Sequence, residues 1–203
     1  MKTSYLFVAA LLISCGSNQP DNLVTPLEPT KEYKTLNEIT LPAAFMRSDF
    51  DWEKQTLTLQ PHAMDQYDAD RIARLQAGDR LLFDGDTLTV ERVEFDGSEV
   101  IVNSGIEEGG ATLRLEPNGY WRGLLWNDHA TYTEMECVTL PFAPQWLLSD
   151  CGEAPTDPQI ELREGQQEYL NQLADYRETF SPLNTTIQLQ NGYIVAIHRR
   201  WIP

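Results

Sequence analysis

The sequence predicts a mainly β fold of the α+β class: a small antiparallel barrel-like or meander sheet with two short helices and a C-terminal β-hairpin. Three observations predict it. Tight-turn pairs recur between short β-rich runs, at Asp84-Gly85, Asp96-Gly97 and Asn191-Gly192, and both residues of such pairs tolerate the positive φ that a two-residue hairpin loop needs. Apolar and polar residues alternate within runs such as Thr56-Leu-Thr-Leu-Gln60 and Thr185-Thr-Ile-Gln-Leu-Gln190, the period of a half-buried strand. Helical spacing is confined to two short stretches.

In chain order, Ala43 to Arg47 and Thr56 to Gln60 read as strands joined through Asp49-Phe50-Asp51. Asp68 to Gly78 reads as a helix, with Asp68 as N-cap, Ala69, Ile72 and Leu75 on one face, and Gly78 as the left-handed terminator. Runs near 79–83, 87–94 and 99–103 form a three-stranded meander. Ala111 to Glu116 and Tyr120 to Trp126 form a hairpin around Pro117-Asn118-Gly119, and Tyr132 to Leu140 reads as one further strand. A second helix is expected from Glu164 to Tyr176, with Tyr169, Leu170, Leu173 and Tyr176 at helical spacing. The closing hairpin pairs 185–190 with 193–201, and regular alternation puts Ile187, Leu189, Ile194, Ala196 and His198 on one face.

The N-terminus carries an address. Lys2 precedes an apolar run from Tyr5 to Ile13, which has the layout of a signal peptide and is well short of the ~20 residues that span a bilayer. Leu12-Ile13-Ser14-Cys15 resembles the lipobox of bacterial lipoproteins. That resemblance implies cleavage before Cys15 and acylation of its thiol, with palmitate-like chains holding the mature protein to a membrane outside the cytoplasm, at the cell surface or in a periplasm. Residues 15–36, polar and proline-rich, read as a flexible tether. The expected organisation is therefore 1–14 lipoprotein signal peptide, 15–36 tether and 37–203 β-rich domain, with a division of that domain near 37–110 and 111–203. Further along, Ala77-Gly-Asp-Arg-Leu-Leu-Phe-Asp-Gly85, Asn103-Ser-Gly-Ile-Glu-Glu-Gly-Gly110 and the ending from Phe180 to Pro203 resemble a group of uncharacterised lipoproteins of gut-dwelling bacteria. The resemblance implies the same address and a β-rich fold, and no catalytic residue.

Charge and cysteines narrow the function. With 31 acidic against 15 basic residues, a net charge of −16 and 41% apolar residues over 203 positions, the chain can build a core but should repel nucleic acid. Cys137 and Cys151 are expected to pair outside the cytoplasm, closing a loop of about 15 residues worth about 3 kcal/mol. No metal or cofactor is expected: His62, His129 and His198 have no ligand spacing, although folding could bring them to a carboxylate such as Asp128. No nucleophile motif is present.

Two constellations remain. Acidic pairs such as Glu134 with Glu136, Asp49 with Asp51, Asp68 with Asp70 and Glu107 with Glu108 are candidates for glycan hydrolysis, or simply a solvated acidic surface. Tyr120, Trp121, Trp126, Tyr132, Phe142 and Trp146 crowd one stretch, and among them Tyr120, Trp121, Trp126 and Trp146 are candidates for a ligand-stacking surface, with core packing as the alternative. The expected role is binding or accessory rather than enzymatic, toward an envelope protein or a glycan. Alternatives are an envelope glycan hydrolase and an inhibitor of a basic enzyme such as lysozyme.

Overall fold

A computed structural model describes residues 22–27, 38–152, 154–173 and 180–202. The expected signal peptide, Cys15 and most of the expected tether lie outside the described residues. In chain order the elements are β1 (Leu23–Val24), β2 (Glu38–Ala44), β3 (Phe50–Asp51), β4 (Thr56–Met64), β5 (Gln66–Tyr67), α1 (Ala69–Ile72), β6 (Arg80–Phe83), β7 (Asp86–Thr89), β8 (Val93–Asp96) and β9 (Glu99–Val102). There follow β10 (Ala111–Leu115), β11 (Trp121–Leu124), β12 (Tyr132–Glu134), β13 (Val138–Asp150), β14 (Ile160–Leu162), α2 (Gln166–Gln172), β15 (Thr185–Gln190) and β16 (Tyr193–Arg199). The fold is mainly β, as the alternation and turn pairs predict.

Five strands close into a ring. β4 pairs with β2, β2 with β15, β15 with β16, β16 in parallel with β13, and β13 returns to β4 from Val138↔Leu59 to Pro141↔Thr56. Closure removes free edges from the wall and encloses a core. β13 makes it work because its first residues lie on β4 and its later ones on β16. The sequence reading ran one strand from Tyr132 to Leu140; the chain instead breaks at 135–137 and continues to Asp150. Pro144 falls in an unpaired bulge where its missing N–H removes no ladder bond.

Inside the ring, Leu57, Leu59, Leu140, Leu148, Ile187 and Leu189 are fully buried. Beside them runs an aromatic ladder: Phe180 stacks on Phe45 at 4.4 Å, Phe45 meets Phe50 edge-on at 5.5 Å, and Phe142 stacks between Phe50 at 5.9 Å and Trp146 at 4.4 Å. Each such pair adds about 0.5–1.5 kcal/mol beyond the area it buries.

Between β4 and β12, neighbours in the wall, residues 65–131 leave the barrel and return. With β1 they form two further sheets, β1-β6-β7 and β5-β11-β10-β9-β8, around a second core that includes Tyr67, Ile72, Leu81, Val100, Leu113 and Trp121. Two expectations change here. The three-stranded meander becomes two hairpins in different sheets: its middle run parts at 90–92, where Asn103 Oδ1 accepts from the backbone N–H groups of Glu91 and Arg92 at 2.8 and 3.2 Å. Part of the expected tether is also packed, since Leu23–Val24 pairs in parallel with Arg80–Leu81 and Val24 is buried.

The helices are shorter than their spacing predicts. Asp68 does cap α1, accepting from Arg71 N–H at 3.0 Å, but the helix ends at Ile72. Beyond it Asp79 Oδ2 takes the Gln76 N–H and Gly78 N–H bonds the Val90 carbonyl, so turns and sheet claim the backbone donors. α2 spans Gln166–Gln172, and 174–179 lie outside the described residues.

The C-terminal hairpin turns as expected at Asn191 (φ 53°) and Gly192 (φ 80°). Its faces differ. Gln188 faces Ala196 while Leu189 faces Ile194, which leaves Val195 as an extra residue. One extra residue reverses the alternation beyond it. Ile197 and Arg199 therefore point inward and His198 does not share the face of Ile187 and Ile194.

The expected disulfide does not form. Cys137 and Cys151 flank the 13 residues of β13, and an extended strand rising about 3.3 Å per residue holds its ends far beyond the ~7 Å Cα separation a disulfide tolerates. Cys137 is exposed and its Sγ donates to Gln60 Oε1 at 2.9 Å.

Candidate functional site

The inserted unit joins the barrel at a seam where three strand ends are stitched together. Asp65 N–H bonds the Thr131 carbonyl at 3.0 Å, Gly123 N–H bonds the Asp65 carbonyl at 3.3 Å, and Thr131 N–H bonds the Gly123 carbonyl at 3.2 Å. Only glycine fits at 123: a Cβ there would sit 2.2 Å from Thr131 Oγ1 and 3.2 Å from the Phe83 ring.

This stitching holds Asp65, one residue past the end of β4, at 1% exposure. Thr133 Oγ1 donates to its Oδ1 at 2.7 Å. Its Oδ2, like Thr131 Oγ1, is buried and completes no hydrogen bond. Burial pushes the Asp65 carboxyl above the ordinary 3.8, the Thr133 and Thr131 hydroxyls beside it oppose the rise, and the charge of Asp84 adds to it. An incompletely satisfied buried carboxyl is costly to keep, and it calls for an explanation.

Three hollows lie around this point, each lined in part by β12. One, of about 330 Å³, is walled by Asp65, Glu134, Glu136, Met64 and Leu82 together with Thr25, Pro26 and Leu27. A second, of about 540 Å³, adds His62, Asp84, Leu125 and Tyr132. A third, of about 440 Å³, lies against Ile39 to Pro42 and again meets His62, Tyr132 and Met135. Four carboxylates (Asp65, Asp84, Glu134 and Glu136) line the first two, and among the described residues no Lys or Arg lines any of the three. His62 does not offset this charge. Burial lowers its pKa below 6.5, outweighing Glu134 opposite it in the strand register. In the neutral ring, Nδ1–H donates to the Gln60 carbonyl at 3.0 Å, which leaves Nε2 as an acceptor.

The structure sorts the sequence candidates. Glu134 and Glu136 share one hollow. Of the other acidic candidates, Asp49 accepts from Met46 N–H, Asp51 pairs with Lys54 and Asp68 caps α1, while Glu107 and Glu108 are exposed on a short turn. The four aromatic candidates do not form one surface. Trp146 stacks in the barrel core and Trp121 is buried in the inserted core, while Tyr120 is exposed and Trp126 is 56% exposed. His62 lies at the seam and His198 on the barrel wall. Among the described residues no three His, Cys, Asp or Glu side chains are arranged to hold a metal, and Asp128 is paired instead with Arg114 at 2.9 Å.

Two functional or structural carboxylates escaped the sequence reading. Asp65 is one. The other is Asp150, wholly buried at the end of β13, where Arg199 Nε and Nη2 meet its two oxygens at 2.9 Å each. Tyr169 OH donates to its Oδ2 at 3.0 Å and Gly152 N–H to its Oδ1 at 2.8 Å. Burial and the Asp150 charge push the Tyr169 hydroxyl up to about 12. Every oxygen of Asp150 is engaged, so this pair fastens α2 and β16 to β13 and has nothing left for a ligand. Compared with known proteins, the chain matches no family model, no curated protein and no solved structure.

Proposed function

We propose that the protein is a lipid-anchored envelope component, attached through Cys15, whose non-enzymatic task is to hold a basic partner protein in the seam between barrel and insert. One observation carries this reading: Asp65, Glu134, Glu136 and Asp84 line adjoining hollows in whose walls, among the described residues, no Lys or Arg stands. An ammonium or guanidinium group supplied from outside would pair with Glu134 and Glu136 and neutralise the crowded charge. The −16 charge of the chain would steer such a partner toward it and raise the association rate.

The test uses a lysine-rich peptide and its fully lysine-acetylated counterpart, with lysozyme as a folded basic probe. The basic peptide should bind, weaken as salt rises, and lose about tenfold or more in affinity when Asp65→Asn, Glu134→Gln and Glu136→Gln are combined. Equal binding of the acetylated peptide refutes the proposal. So does an equal loss from neutralising Asp86, Glu91 and Glu94 on the insert edge, because that outcome would assign binding to overall charge.

A second reading has a specific observation behind it. Glu134 and Glu136 share a hollow with a carboxyl whose pKa burial raises, which is the acid and base pairing of a glycan hydrolase. It is weaker because Asp65 Oδ1 is already bonded to Thr133 and Oδ2 is buried, so neither oxygen is free to protonate a leaving group. Release of reducing ends from envelope glycan, abolished by Glu134→Gln, would favour it.

A further inference from the structure

The barrel wall carries another hollow, away from the seam, with a different character. It forms where pairing fails on both sides of one residue. Val195 has no counterpart on β15, where Gln188 faces Ala196 and Leu189 faces Ile194. On the other flank the β13 register jumps from Phe142↔Ile194 to Leu147↔Ala196, so residues 143–146 stand opposite Val195 alone. Two breaks meeting on one residue bend the wall outward, and they leave a depression of about 510 Å³, within the size range of small-ligand sites.

Its surface is divided. Pro144, Leu147 and Val195 give an apolar floor, and Arg163, Gln188 and His198 stand around it. Arg163 follows β14 and donates Nη1–H to the Gln145 carbonyl at 2.9 Å. That bond ties the guanidinium to the bulge while leaving most of its five N–H donors unused, and among the described residues no carboxylate is paired with it. Gln188 gives its amide N–H to Glu38 Oε1 at 3.0 Å, which leaves its carbonyl oxygen to accept. The register shift described above is also what turns His198 out of the core and onto this rim.

We propose that this hollow binds a sugar acid, a carboxylated ligand of monosaccharide size. A guanidinium matches a carboxylate in a two-point fork. The Gln188 carbonyl and the His198 ring provide acceptor and donor for hydroxyl groups, and the apolar floor takes the C–H face of a sugar ring. In a chain of charge −16, anion affinity has to be built locally, and here an arginine is fixed by a neutral carbonyl rather than neutralised by an acid. The site shares no lining residue with the seam hollows, so it stands whether or not a basic partner binds there.

The probe is glucuronate, titrated into the detergent-solubilised full chain and followed calorimetrically, with glucose and inorganic phosphate alongside. Glucuronate should saturate, with glucose and phosphate each about tenfold weaker or more. Arg163→Ala should lower the glucuronate affinity by about tenfold and Gln188→Ala by a few-fold. Asp65→Asn should leave it unchanged. Arg163 is exposed, so its replacement is not expected to unfold the chain, and an unaltered urea midpoint verifies this. The proposal is overturned if glucuronate fails to saturate, if glucose or phosphate binds as tightly, or if Arg163→Ala binds as wild type.

Discussion

Barrel and seam each bury one carboxylate, and they treat it in opposite ways. At the end of the barrel strand β13, Asp150 receives two bonds from Arg199, one from Tyr169 and one from the backbone. At the seam, Asp65 receives one side-chain bond, from Thr133, and keeps an oxygen with none. The first arrangement offsets the loss of water by fixed partners and so locks three elements together. The second leaves that oxygen and the neighbouring Thr131 hydroxyl without a completed bond, so the carboxyl is held less firmly. Burial alone therefore does not separate a structural acid from a binding one; the count of donors does.

The largest effect should come from breaking the complete site. Arg199→Met removes both guanidinium bonds and the cation 5.8 Å from the Phe180 ring, and it strands Asp150 in a dry interior. Leaving a buried charge unpaired typically costs about 3–5 kcal/mol, so the urea midpoint should fall steeply. Adding Asp150→Leu to that variant should recover part of the loss, because the stranded charge goes with it. If the double variant is no more stable than the single one, the contribution of Arg199 is packing rather than charge, and the contrast with Asp65 fails.

A smaller effect tests the stitching of the seam. Gly123→Ala places a methyl group 2.2 Å from Thr131 Oγ1 and close to Phe83. Overpacking of this kind costs about 1–3 kcal/mol, read from the same urea midpoint. It should also displace Thr131 from Asp65 and weaken binding of the lysine-rich peptide by more than the stability change explains. A destabilised protein with unchanged peptide affinity would detach the seam geometry from the binding proposal.

The two regions also differed in how far the sequence revealed them. In the insert, β6 with β7, β8 with β9 and β10 with β11 are hairpins between consecutive strands, and their Gly-containing turns, at 84–85, 96–97 and 117–119, announce them locally. The barrel is closed by β2 with β15 and by β13 with β4 and β16. Those partners are far apart in the chain, and no local pattern encodes which strand meets which. The same limit hid the sites. Glu134 and Glu136 stood out as a pair, whereas Asp65 looked like any other acid beside a strand until Thr131 and Gly123 closed over it. Regular alternation puts His198 on the inward face, and the bulge at Val195 breaks that alternation and turns Arg199 inward in its place.

The smallest effect, and the one with a definite pH signature, is expected from Asp65→Asn. The asparagine keeps an oxygen for Thr133 and has no charge to bury. Because the folded protein holds the Asp65 proton more tightly than the unfolded chain does, both states are fully protonated only well below 3.8. As pH rises past that value the unfolded chain releases its proton first, so the wild-type fold loses stability, and the loss levels off once the folded carboxyl has ionised too. The asparagine variant has no such term at this position. Its urea midpoint, measured from acid to neutral pH, should draw level with and then exceed that of wild type as pH increases, with the gap constant at the upper end. Saturating lysine-rich peptide should narrow the gap by stabilising wild type more than the variant, since a bound cation offsets part of the charge around Asp65. Parallel midpoints at every pH would mean that Asp65 is already satisfied in the folded chain, and the distinction from Asp150 would disappear.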